Sequence, residues 1–424
     1  MKYILFILPF ILFLSLGYIN NNANHIANGA TDSINKASVY DDTLNLKCSK
    51  KDIYELTKDI DLKGRTFVIP KGIKIKTQRG MFCNGTLVGS STQIIGQQPL
   101  FSRVTIKGSW NVPNITTSMF ADLKYDNSLR DVVALADPSV RNRVYISEGD
   151  YYISLSSKNK SGMTIPSNTT VIIDGNLKLR PNNLKNYNII SIEKGQNVII
   201  EGSGLIQGDK YTHTGEKGEW GMGINLHGAK KAIIRNLTIK DCWGDCIYIG
   251  GNSKDVLVNN CILDHGRRQG VSITYASDVH IKNCVISNVH GTSPQYGIDV
   301  EPNANCKVNN VLIEGVVVRD CFGGIKSWRN KKNANIHNVV LKQCKVIGTE
   351  AEYPIAMRRA DVIEILNCSV DTKSEYSVVV QDVEKLVAKG NDFKSTGNYP
   401  IKLVNCKMSN INNEIRYENS YISK

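Results

Sequence analysis

Aromatic residues are scarce in this 424-residue chain, at 7%, while Gly and Asn are abundant. That balance fits a chain rich in turns. Hydrophobic residues reach 41%, enough for a globular core, and the length allows one large domain or two smaller ones. No CxxC pair and no nearby His spacing is present to hold zinc. The apolar run after Lys2, "YILFILPFILFLSLGY", is too short to cross a bilayer comfortably. It reads as a secretory signal peptide over 1–17, with Ser15 and Gly17 near the cleavage point. An uncleaved anchor is the plainer alternative, and no Cys stands there to carry a lipid. Acidic residues are the minority, 39 against 52 basic ones, for a net charge of +13. The imbalance favours an acidic partner: nucleic acid, an anionic membrane or an anionic polysaccharide. Export disfavours nucleic acid and limits membrane contact to the signal segment. The expected location is secreted or periplasmic.

What the chain does have is a repeat. From about residue 223 onward come the short segments "GINLH", "CIYIG", "GVSIT", "GIDVE", "GIKSW", "PIAMR", "SVVVQ" and "PIKLV". Their first apolar residues are Ile224, Ile247, Val271, Ile298, Ile325, Ile355, Val378 and Ile401, at steps of 23, 24, 27, 27, 30, 23 and 23 residues. A period in the twenties marks a solenoid. Each repeat carries two further strand-like stretches and no helical spacing, as in "AIIRNLTI", "VLVNNCIL" and "VHIKNCVI". Three short strands per turn predict an all-β, three-sheet parallel β-helix. Asn236, Asn260, Asn283 and Asn367 fall at one recurring turn, where stacked amides can hydrogen-bond from rung to rung.

Eleven cysteines in an exported chain would ordinarily suggest disulfides. Here Cys261, Cys284, Cys344 and Cys368 each follow the recurring Asn-type turn, as an inward stack of small polarizable residues would. Reduced thiols are the expectation, although rungs ~4.8 Å apart would let neighbouring thiols meet. Upstream, "VYISEGDYYISL" and "TTVIIDGNLKL" read as earlier, less regular rungs, and "NSLRDVVALAD" as the best helix candidate. The resulting division is a signal peptide over 1–17, a flexible mature N-terminus over 18–40, a β-rich cap over 41–120 and the β-helix over 121–424. The cap would cover an otherwise exposed sheet edge.

The order "VYISEGDYYI", "GSGLIQGDKYTHTGEKGEW", then the rungs resembles the pectate-lyase-like superfamily of right-handed β-helices over about residues 125–410. Within it, the middle is similar to polygalacturonase-type glycoside hydrolases. The resemblance implies a right-handed helix and a carbohydrate-active site, but the catalytic motifs match only in part. The N-T-D strand of that family reads "NLH", with His227 at the acid. The G-D-D-C-I turn reads "WGDCI", keeping Asp245 and placing Gly244 at the other acid. The G-H-G turn reads "RQG", with Gln269 at the histidine, and "GIKSW" keeps only Lys326 of R-I-K.

Alternation along each strand assigns an outward face: Asn225 and His227, Tyr248, Ser272 and Thr274, Asp299 and Glu301, Lys326 and Trp328, Ala356 and Arg358. Preceding turns add Asp245, His265, Arg267 and Arg268. A patch of acids, cations, histidines and aromatics about 25 Å long over five rung steps reads as a substrate groove. Tyr248 and Trp328 suit stacking on sugar rings, or serve as rim residues over the core. Asp299 and Glu301, two apart on one strand, have carboxylates roughly 6–7 Å apart. They could be a hydrolytic acid–base pair, two ligands of a Ca²⁺ ion, or structural partners of Lys326.

The preferred expectation is a secreted enzyme that cleaves an acidic, uronate-containing polysaccharide by β-elimination. Lys326, or failing that His265, would be the base. Arg267 and Arg268 would neutralise the uronate carboxylate, and Asp299 and Glu301 would hold Ca²⁺ or orient Lys326. His227, Tyr248, Trp328 and Arg358 would bind substrate. In the hydrolase alternative, Asp299, Glu301 and Asp245 share the acid and base roles. The third alternative is a non-catalytic glycan-binding solenoid. Sugar, linkage and oligomeric state are not legible.

Overall fold

The structure, a computed structural model, describes residues 42–43, 52–96, 99–123, 128–329, 332–412 and 415–418. The expected signal peptide over 1–17 and N-terminal segment over 18–40 lie outside them.

Strand pairing follows the repeat. Ile224 pairs with Ile247, then Val271, Ile298, Ile325, Ile355, Val378 and Ile401, one per rung. All eight point inward and are essentially inaccessible to solvent. Among the described residues three long parallel sheets result. One has eleven strands, from Ser161–Thr164 to Ile415–Glu418; one has ten, from Asp150–Ile153 to Asp392–Lys394; one has twelve, from Asn114–Thr116 to Met408–Ile411. The chain visits the three in turn, which makes the expected three-sheet parallel β-helix. Parallel strands covered on one side by their own interior need β-branched stacks, and the Ile and Val columns supply them.

The recurring turn has a backbone cause. Asn236, Asn260, Asn283, Gly315, Gln343, Asn367 and Gly390 occupy it on successive rungs, all with φ between 51° and 66°. This left-handed region is costly for most L-residues, and Asn and Gly tolerate it best. The amide of Asn260 also donates to Asn236 Oδ1 at 3.0 Å. Just inside the turn, the side chains of Cys261, Cys284, Cys344 and Cys368 are buried as free thiols. Cys284 Sγ donates to the Lys282 carbonyl at 3.2 Å.

Toward the N-terminus, the strands from Ile53–Leu56 to Phe101–Asn111 form a separate sheet that is also parallel. One continuous hydrophobic cluster joins this region to the helix, running from Leu56 to Cys406. The expected helix appears at Ser128–Ala134. It packs against the strands Phe101–Asn111 and Ser161–Thr164 and is the sole α-helix among the described residues.

Candidate active site

The outward face of the eleven-stranded sheet forms a grid. Its middle row runs Asn225, Tyr248, Ser272, Asp299, Lys326 and Ala356. The next row, two residues on, contains His227, Gly250, Thr274, Glu301, Trp328 and Arg358. A turn-proximal row, two residues before each inward Ile or Val, contains Asp245, Gln269 and Tyr296. A groove of about 460 Å³ lies over this grid. Its walls include Asn186, Asn188, Glu219, Trp220, His227, Tyr248, Arg268, Asp299 and Glu301. Gly250 lets two groove residues pack closely: a Cβ there would lie 2.6 Å from Tyr248 Cε1 and 2.7 Å from Thr274 Oγ1.

Asp299 is the most constrained acid. It is 2% exposed, and its Oδ2 accepts from Gln269 Nε2 at 2.8 Å. Gln269 in turn accepts the Tyr296 amide on Oε1 at 2.9 Å, which fixes its orientation. Asp299 Oδ1 is buried and has no hydrogen-bond partner. Lys326 Nζ lies 3.9 Å from Asp299 Oδ2 and 3.9 Å from Glu301 Oε2. Burial raises the Asp299 carboxyl to about 7, against the pull of Lys326 and with a push from Glu301. The carboxyl therefore keeps a proton at pH values where Asp is ordinarily ionised.

Asp245 stands one layer back, wholly buried. Ser272 Oγ donates to its Oδ2 at 2.7 Å, and Arg268 Nη1 lies 3.3 Å from both oxygens. Burial raises its pKa, partly offset by Arg268 and Ser272. Arg268 Nε also lies 3.7 Å from Glu219 Oε2. Burial alone would lower the Arg268 pKa, but Asp245, Asp299 and Glu219 together raise it.

Several expected residues are engaged outside the groove or with neighbouring side chains. Arg267 does not reach the groove as a carboxylate ligand. Its guanidinium stacks on Trp243 at 3.7 Å and its Nη1 donates to the Gly218 and Trp243 carbonyls. Arg268 lines the groove already paired with two carboxylates. His265 is not among the lining residues; its Nδ1 lies 2.7 Å from Asp264 Oδ2 and its ring meets Tyr211 edge-on. Trp328 and Arg358 share the sheet face but not the groove wall; the Trp328 ring lies under Arg358 and Arg359. The Ca²⁺ reading also fails a test of fit. Ca²⁺ takes about six to eight oxygens; here the Lys326 ammonium sits beside both carboxylates, and Gln269 occupies one oxygen. Among the described residues no group of three or more His, Cys, Asp or Glu is placed to hold a metal.

Sequence reasoning missed Glu219 and Trp220 as groove walls. Glu219 ends the long turn 208–219 and Trp220 follows it; the turn is anchored from within. Asp209 Oδ2 accepts from Asn182 at 2.8 Å and lies 2.8 Å from His213 Nδ1, and Tyr187 donates to Asp209 Oδ1. The His213 ring stacks on Trp243 at 4.1 Å, and Arg267 closes the stack on Trp243 and ties Gly218. The available signal was the turn's length: Ile190 pairs with Ile224 across 34 residues, more than any step between later rungs.

Residues 169–341 match the family model described as right handed beta helix region. The right-handed β-helix expected from the sequence is thus matched over these residues. Among curated proteins, the chain is 36% identical over 163 residues to the SPbeta prophage-derived uncharacterized protein YorA of Bacillus subtilis, covering 33% of this chain and 28% of that protein. The chain thus spans about a quarter of the length of this relative. Among solved structures it is similar to the adhesin PfbA of Streptococcus pneumoniae, at 12% identity and a TM-score of 0.44, covering 83% of this chain and 90% of that one. It is also similar to an exopolygalacturonase of Thermotoga maritima, at 11% identity and a TM-score of 0.43, covering 72% and 91%.

Proposed function

We propose that this protein, a right-handed parallel β-helix of the pectate-lyase-like kind, is an exported glycoside hydrolase that uses Asp299 as general acid and Glu301 as base. One observation carries the reading: two carboxylates on the groove floor share one ammonium, and the buried one keeps an oxygen without a partner. A glycosidic oxygen entering the groove would supply that partner. Asp299 gives its proton to the leaving oxygen as the anomeric C–O bond breaks and its electron pair stays on that oxygen. Water adds to the anomeric carbon and loses its proton to Glu301. Lys326 holds both carboxylates in place and stabilises the ionised Asp299 that results. A strand spacing of two residues, roughly 6–7 Å between carboxylates, falls between the retaining and inverting ranges, nearer the inverting one that leaves room for a water. Trp220, 49% exposed at the groove wall, offers an apolar face to a sugar ring.

The rival reading, β-elimination from an acidic glycan with Lys326 as base, has the net charge of +13 in its favour. It needs a cation available for the uronate carboxylate, and Arg267 and Arg268 are already engaged. One assay separates the readings. Polysaccharides of acidic and neutral type are incubated with the protein, and reducing ends and unsaturated-uronate absorbance are followed together. Hydrolysis yields reducing ends without absorbance, and both Asp299→Asn and Glu301→Gln lower kcat by about 10²–10⁴-fold. Absorbance rising with the reducing ends would overturn the hydrolase reading in favour of elimination. Binding without either product would leave a glycan-binding solenoid.

A further inference from the structure

The groove has a charge of its own, opposite to that of the molecule. Glu219, Asp299 and Glu301 line it against one cation, Arg268. Directly behind, Asp245 and Lys326 add one charge of each sign. Four carboxylates thus face two cations, a surplus of two negative charges, or one while Asp299 keeps its proton. Each cation is also engaged: Arg268 with Asp245 and Glu219, and Lys326 with Asp299 and Glu301. A sugar carboxylate entering here would meet two ion pairs and an exposed carboxylate edge. Like charges repel more strongly in a partly desolvated site than in water. The remaining wall suits hydrogen-bonding hydroxyls: Asn186, Asn188, Asn225 and Asn303 present amides, and Glu219 and Glu301 accept.

Taking the groove as the glycan site proposed above, we infer that the sugar it takes carries no carboxylate and is a neutral or amino sugar. The basic character of the chain resides elsewhere on its surface.

The test uses matched polymers that differ only in the carboxylate. Hyaluronan and polygalacturonate are compared with the same polymers after reduction of their carboxylates to primary alcohols, by calorimetric titration of the wild-type protein. The reduced form of at least one polymer should bind about ten-fold tighter than its native form. Glu219→Gln should narrow that gap, measured at salt high enough to screen adhesion of the native polymers to the basic surface. Chitosan oligosaccharides tighter than their N-acetylated counterparts would assign an amino sugar, and the reverse a neutral one. Native polymer binding as tightly as reduced polymer, with loss on Arg268→Gln, would overturn the inference, as would no binding by any of these probes. Failure of the hydrolase reading looks different: reduced polymer bound, with no reducing ends released.

Discussion

Asp299 links stability to chemistry at the scale of one residue. Its ordinary pKa of 3.8 rises to about 7 in the fold, so the folded protein holds a proton that the unfolded chain has lost. Stability is therefore highest below about pH 4 for this group and falls as pH rises toward 7. Asp299→Asn keeps the side-chain shape and removes the charge. It should raise the melting temperature at pH 8, equivalent to about 1–3 kcal/mol, and flatten its pH dependence between 5 and 8. Thermal scans at both pH values check this; an unchanged slope would show that Asp299 is ionised and comfortable. The same proton makes activity fall above about pH 7, since a general acid must carry it. Gln269 fits this picture. It stands where the polygalacturonase pattern has His, and it orients the acid by a neutral amide instead of a titrating ring.

At the scale of the element, the turns decide more than the strands. The left-handed column through Asn236, Asn260 and Asn283 recurs because each rung must reverse direction in few residues. Asn260→Ala should cost about 1–2 kcal/mol in urea unfolding, from backbone strain and the lost amide bond. Asn260→Gly should cost less, since Gly accepts the same φ; equal losses would assign the whole effect to the amide. The long turn 208–219 is held by contacts and not by repeat geometry. Arg267→Ala removes both the cover on Trp243 and the bond to Gly218. Backbone amides of 208–219 should then exchange hydrogen faster, and KM should rise more than kcat falls, because Glu219 and Trp220 shift while Asp299 stays. Equal exchange in mutant and wild type would mean that Asp209 and His213 suffice to anchor the turn.

For the whole molecule, charge and site separate. A chain of net +13 should adhere to anionic surfaces with an affinity that falls steeply as salt rises. Occupation of the groove by an uncharged sugar should hardly change over the same range. Measuring both on one preparation, from about 50 to 300 mM NaCl, distinguishes surface adhesion from site binding; parallel salt dependence would place the glycan on the basic surface instead.

The solenoid, its period and the outward grid were legible from sequence because they rest on local rules. Alternation assigns each strand's two faces, and a repeated apolar column sets the register of every rung. Those two rules alone put Asp299, Glu301 and Lys326 side by side, as the strand pairing has them. What each charge does was not legible. Arg267 bonds Gly218 from 49 positions away, Arg268 meets Asp245 from the preceding rung and Glu219 from the long turn, and Trp220 becomes a wall only when that turn packs. Two arginines in one turn look alike in a string of residues. Only tertiary packing decides which partner each meets, because an ion pair depends on distances of a few ångströms that variable turns do not encode locally.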